Sequence, residues 1–247
     1  MEKVQKDGIE FGALKIFNSF LDRDTGWFFL EYEPWMIYLR LFNQSDLPRP
    51  SHCHQDFGSP VIYHKKKEII IDPGRSSYLL DSNIEIQALK HSTFLINNEP
   101  TAYSERDLKF FPFPIRPYKI KQYVIGKKIY ILIRYPLSLK ANFKIRYATR
   151  LFLINKKSIE IRDRISLFKK SNIITRFNFS YPLDKFNRKF SYRIDNNKTK
   201  NIILGEESKE LCISKRFLDY NRNHKYKSFS FRAEKIKHFC SRFLISE

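Results

Sequence analysis

The residues best suited to chemistry in this 247-residue chain fall in one window, Ser51 to Ser92, and they are three histidines and an aspartate. His52 and His54 are two apart, a spacing that puts both imidazoles on one face of an extended strand and turns Cys53 to the other. Asp72 closes the apolar run Glu68-Ile69-Ile70-Ile71 and is followed by the turn pair Pro73-Gly74. His91 opens the extended segment Ser92-Thr93-Phe94-Leu95-Ile96. Imidazoles on two strands and a carboxylate at the end of a third can converge on one ion. Two nitrogens and an oxygen suit Zn²⁺, with a fourth position for water or another side chain. Spacing alone leaves a second reading open, in which these histidines are solvated or satisfied in a core. His64, His224 and His238 lack such company and are read as structural.

The elements that must position this set are strands. The chain is 42% hydrophobic and 29% charged with only 7 Gly, which excludes a disordered or fibrous protein and is enough for a sizeable core. Its 23 Phe, 14 Tyr and 2 Trp, with abundant Ile, favour a pleated surface on which flat and β-branched side chains pack. From Gly8 onward short extended runs alternate with turn residues, and many alternate polar with apolar, as in Ser158-Ile159-Glu160-Ile161-Arg162-Asp163. Period two puts one face on a core and the other in water. With no long helical period between the runs, the expected architecture is all-β, a large antiparallel sandwich formed by residues 1–247 as one domain. Asp195-Asn196-Asn197-Lys198 reads as a hairpin tip, and the proline-dense stretch 109–117 as a surface connection.

Charge narrows the partner. Residues 1–100 carry 11 Lys and Arg against 14 Asp and Glu, and the remaining 147 carry 35 against 12, a net of +23. Such a field concentrates polyanions, whether acidic polysaccharide or nucleic acid, and a lysine-rich composition alone also produces it. The absence of a run of 18 apolar residues argues against a membrane span, and the N-terminal segment has no signal-peptide profile. Three scattered cysteines, Cys53, Cys212 and Cys240, read as reduced thiols rather than a disulfide framework.

Taken in order, the motifs resemble the C-terminal β-sandwich domain of the heparinase II/III-like polysaccharide lyases. That family carries a G-H-x-H-x-D segment, a strand closing in D-P-G and a segment of the form A-H-N-T-V. Here these read Ser51-His52-Cys53-His54-Gln55-Asp56, Ile71-Asp72-Pro73-Gly74 and Lys90-His91-Ser92-Thr93-Phe94. Gly12 to Ile16 resembles the strand that opens the domain, and Arg146 to Ile165 its later Arg-containing strand pair. The resemblance implies that His54, Asp72 and His91 hold Zn²⁺ and that His52 handles the uronate carboxylate or a proton. It places Tyr78 and Arg75 on the loop facing the cleft, Tyr78 as a second proton carrier and Arg75 as a substrate contact. Ser51, Cys53 and Phe57-Gly58-Ser59 depart from the family pattern.

The function implied is β-elimination on uronate-containing glycans. The family's full enzymes place an α/α toroid before this sandwich and draw part of the catalytic set from it. The expectation is therefore the sandwich half of a split or truncated enzyme, nearly inactive alone, with the toroid as a separate partner. A non-catalytic acidic-glycan binder is the alternative. A basic nucleic-acid-binding β protein is less favoured, because no RNA-recognition signature accompanies the charge. The family is mostly exported.

Overall fold

A computed structural model describes residues 17–23, 25–41, 54–74, 88–101, 118–136, 145–180, 185–195, 197–204, 211–219 and 222–247. Fifteen strands account for most of them: β1 Asn18–Asp22, β2 Trp27–Tyr32, β3 Trp35–Arg40, β4 Pro60–His64, β5 Lys67–Ile70, β6 Phe94–Ile96, β7 Glu99–Pro100 and β8 Lys119–Ile125. They continue with β9 Lys128–Arg134, β10 Ile145–Asn155, β11 Ser158–Ser180, β12 Asn187–Ile194, β13 Lys200–Ile203, β14 Leu211–Asp219 and β15 Arg222–Ser246. Among the described residues there is no α-helix, only a 3-10 turn at Ala88–Lys90.

The alternation read from sequence is the reason these segments are strands. In β9, Ile129, Ile131 and Ile133 are fully buried while Tyr130, Leu132 and Arg134 face partly outward. β2 and β3 do the same with Phe28, Leu30 and Tyr32 and with Trp35, Ile37 and Leu39. All pairings are antiparallel, and the path runs β1-β2-β3-β4-β5-β11-β10-β9-β8, with β15, β12, β13, β14, β6 and β7 branching from β11 and β15. This is a large antiparallel sheet curled so that its inner faces share one core, the sandwich that the sequence predicts. Two hydrogen bonds tie β2 and β3 to the opposite layer: Trp35 Nε1–H donates to the Asn155 carbonyl at 2.9 Å, and Tyr32 O–H to the Lys127 carbonyl at 3.1 Å.

By pattern alone Lys157–Ile165 and Asn172–Tyr181 are two extended runs parted by the polar Lys169-Lys170, and two strands are expected there. They form one strand of 23 residues. The intervening Phe168-Lys169-Lys170 is exposed, and the register with β15 shifts between Ser166 and Ser171 and again before Ile173. The extra residues bend the ribbon without ending it. Its first half pairs with β10 and its second half with β6, touching β5 at Phe179, while β15 follows it along nearly its whole length.

The connections match their turn chemistry. Asn97-Asn98 joins β6 to β7 with both residues at positive φ, as a two-residue type I′ turn requires, and Asn tolerates that region. Asp195, also at positive φ, begins the tip between β12 and β13 and uses Oδ1 to accept the Lys237 and His238 amides. Stretch 109–117 lies outside the described residues.

Candidate metal centre

His54, Asp72 and His91 converge. One potential ligand atom from each lies within 4.8 Å of the others. His54 sits in the loop before β4, not on a strand as the His-x-His spacing predicts, because Phe57-Gly58 turns the chain before pairing starts at Pro60. Asp72 lies just past β5, where its Oδ1 accepts the Gly74 amide at 2.9 Å. Gly74 is at positive φ, so the turn pair does what Pro-Gly does best. His91 follows the 3-10 turn and is completely buried. Its Nδ1 meets Asp72 Oδ2 at 2.7 Å, and its ring lies 5.2 Å from that of His54.

Burial pushes the Asp72 carboxyl up, but His91, the Gly74 amide and His54 outweigh it and hold it at about 2. The carboxylate is thus ionised at neutral pH. Two imidazoles and an ionised carboxylate are a donor set that Zn²⁺ takes, so the chemistry fits.

Asp56, the last residue of the first motif, buries its carboxyl beside the set. Burial and the Asp72 charge raise it to about 6 against the pull of His91 and Arg40. Its Oδ1 has no hydrogen-bond partner among the described residues. Asp56 has no role assigned from sequence; the period-two spacing His52, His54, Asp56 is the signal for it.

The loops are held from beneath. Arg150 is fully buried and pairs both ways with Asp163, Nε to Oδ1 at 2.8 Å and Nη2 to Oδ2 at 2.9 Å. Its Nη1 donates to the Gly58 carbonyl at 2.9 Å and to the Ser92 carbonyl at 2.7 Å, linking the His54 loop to the His91 segment. Burial pulls the guanidinium down, and Asp163 more than offsets it, so Arg150 is held above its ordinary value. Asn178 of β11 adds a second tie: its amide N–H donates to Ser92 Oγ and its Nδ2 to the Lys90 carbonyl. Ile71 N–H donates to the Asn178 carbonyl, which brings the end of β5 to the same place. Gln55 Oε1 accepts the Ala88 amide. Sequence does signal Arg150 and Asp163, since each sits in the buried phase of an alternating strand, between Ala148 and Phe152 and between Ile161 and Ile165.

His52, Arg75, Tyr78 and Cys53 lie outside the described residues. His64 is drawn to Glu247 at 3.1 Å and His238 to Ser166, both away from the cluster, in keeping with a structural reading.

A family model described as heparinase II/III-like, C-terminal, matches residues 17–219. The chain belongs to this family. Two solved structures share the fold. One, described as a heparinase III gene product, superposes with a TM-score of 0.63 at 14% identity over 96% of this chain and 37% of that one. The other, heparan sulfate lyase HepC from Pedobacter heparinus, gives 0.61 at 17% identity over 98% and 38%. This member thus spans little more than a third of those chains. No curated protein matches it. No helix among the described residues is long and apolar enough to cross a membrane.

Proposed function

We propose that this domain serves a polysaccharide lyase acting on uronate-containing glycans, with Zn²⁺ held by His54, Asp72 and His91. The convergence of those three side chains, at the three positions where the family resemblance expects ligands, carries the reading. When bound, the ion supplies a fixed positive charge that fastens three chain segments together. His91, buried, is out of reach of substrate and orients Asp72; His54 is the more open of the two imidazoles.

β-Elimination requires three things around one sugar ring. The uronate carboxylate must be neutralised, the adjacent carbon deprotonated and the departing oxygen protonated. His52 is proposed for the carboxylate or a proton, Tyr78 for proton transfer and Arg75 for binding the anion. Positioning supplies much of the rate, so a sandwich that forms one wall of the cleft needs a second wall, which the family resemblance assigns to an α/α toroid.

Metal analysis tests the site. The purified chain should bind about one zinc, lose it in His54→Ala and Asp72→Asn, and bind more weakly as pH falls through the histidine range. Zinc retained by both variants would refute the ligand set. Turnover is followed by the ultraviolet absorbance of the unsaturated uronate product over a panel of acidic glycans. The chain alone should be nearly inactive, and robust turnover abolished by His52→Ala would show that it holds a complete active site.

A further inference from the structure

The solvent face of the second layer carries a pattern that the metal centre does not use. Strands β8, β9, β10, β11, β15 and β12 lie side by side in that order, and residues opposite one another on antiparallel neighbours project from the same face. Read across the register, one row is Lys119, Arg134, Thr149, Arg164, Cys240 and Arg193. The next row brings Lys121, Arg162 and Arg242, and the third brings Glu160 and Lys189. Ile133, Ala148, Ile165 and Phe239, on the opposite phase, are buried, so these rows face outward. Three adjacent rows thus carry eight basic side chains and one acid.

That acid organises its neighbours. Glu160 is buried, and its Oε1 takes Arg162 Nε while its Oε2 takes Arg242 Nη2 at 2.7 Å. One carboxylate with both oxygens engaged holds two guanidiniums close despite their repulsion, and each keeps further N–H donors. Around them lies a groove of about 330 Å³, lined in part by Arg162, Arg164, Arg193, Arg242 and Asn201. Lys119 and Arg193 stand five strands apart, about 24 Å at the usual strand spacing, which suits a polymer rather than a single small anion.

We infer that this face is a second binding track for acidic glycan, gripping sulfate or carboxylate groups along the polymer away from the metal centre. The inference rests on the acidic-glycan reading proposed above. Guanidinium forks match the paired oxygen acceptors that a carboxylate or a sulfate offers. A single-stranded nucleic acid would need open rings to stack on. Tyr192, the ring lining this groove, is packed against Phe231 at 4.1 Å and Phe190 at 5.9 Å. The open rings of the third row, Tyr123 and Tyr130, lie on the two strands at the far edge and stack on each other at 4.9 Å, so none of these rings stands open beside the arginines.

The test is calorimetric binding of a heparin octasaccharide to the full chain at low salt. A neutral oligosaccharide and a DNA oligonucleotide serve as comparisons. Arg164→Gln/Arg193→Gln should weaken heparin binding by about tenfold or more and flatten its salt dependence, because fewer bound counterions are exchanged. Melting temperature and zinc content should stay at the parent values. His54→Ala should lose zinc and keep heparin affinity within about twofold of the parent, on the same electrostatic argument. If the double variant binds like the parent, or DNA outcompetes heparin, the track is wrong. Equal loss in His54→Ala would place all binding at the metal centre. A chain that binds no zinc but shows the arginine dependence would remove the metal reading and leave the track standing.

Discussion

β11 shows the same pair of residue types to two environments. On its inner face Asp163 pairs with Arg150, both fully buried; on its outer face Glu160 pairs with Arg162 and Arg242, whose side chains are 37% and 52% exposed. Only the alternation Glu160-Ile161-Arg162-Asp163 separates them. Inside, water cannot replace a lost partner, so the pair and its two carbonyl contacts lock the metal-centre loops in place. Outside, Glu160 is itself covered, but it has two guanidiniums that reach solvent, so water screens their charges and either one can be lost with the other still in place. There the same chemistry contributes little to stability while remaining available to a ligand. Position relative to the core thus decides whether an Arg–carboxylate contact acts as architecture or as recognition.

The largest expected effect breaks the inner pair. Asp163→Asn leaves a buried guanidinium without its counter-charge and should cost about 3–5 kcal/mol, measured by urea unfolding. A loss below about 1 kcal/mol, the range of exposed pairs, would erase the distinction between the two faces.

Gly58→Ala comes next. Gly58 is at positive φ, and a Cβ there would lie 2.3 Å from the Tyr135 hydroxyl oxygen, whose ring is wedged against Phe57 and Phe94. Backbone strain and overpacking together should cost about 2–3 kcal/mol. Thermal melting checks it, and an unchanged melting temperature would mean that Tyr135 has room to move.

Asp56→Asn probes the inner face through pH. Asp56 titrates at about 6 when folded against an ordinary 3.8. Between those values the folded chain keeps a proton that the unfolded chain has released, so stability falls as pH rises through the window. The substitution should flatten the profile there and recover up to about 3 kcal/mol at neutral pH. Unfolding curves across that window that keep their slope in the variant would show that another group carries it.

The smallest effect is expected outside. Arg162→Gln should change stability by less than about 1 kcal/mol. A larger loss in chemical denaturation would make the outer contact architectural too.

The strands were most legible where burial repeats every second residue, as in β2, β3, β4, β8, β9 and most of β10, β9 doing so with Ile129, Ile131 and Ile133. The continuity of β11 was not. Phe168-Lys169-Lys170 looks like a break, and only the pairing of β15 along both halves keeps it extended. In the site, the order of histidine, aspartate and histidine was readable from motifs. The loop conformation of His54 was not, because it depends on Gly58 meeting Tyr135 and Arg150, residues far away in sequence. Arg150 and Asp163 stood in the buried phase of their strands, visible as charges where apolar residues belong, but their ties to Gly58 and Ser92 exist only in three dimensions.

The long ribbon also bears on how the chain is made. Ser158 pairs with Ser246, and the whole of β15 comes after β11 in the order of synthesis, beyond β12, β13 and β14. Until β15 emerges, a 23-residue strand presents an edge of unpaired amides and carbonyls, the template on which nascent chains stick to one another. The contacts that close it join residues far apart in sequence, so they form late and slowly. The exposed lysines at Lys169 and Lys170, midway along that waiting edge, put like charges where two such ribbons would otherwise align.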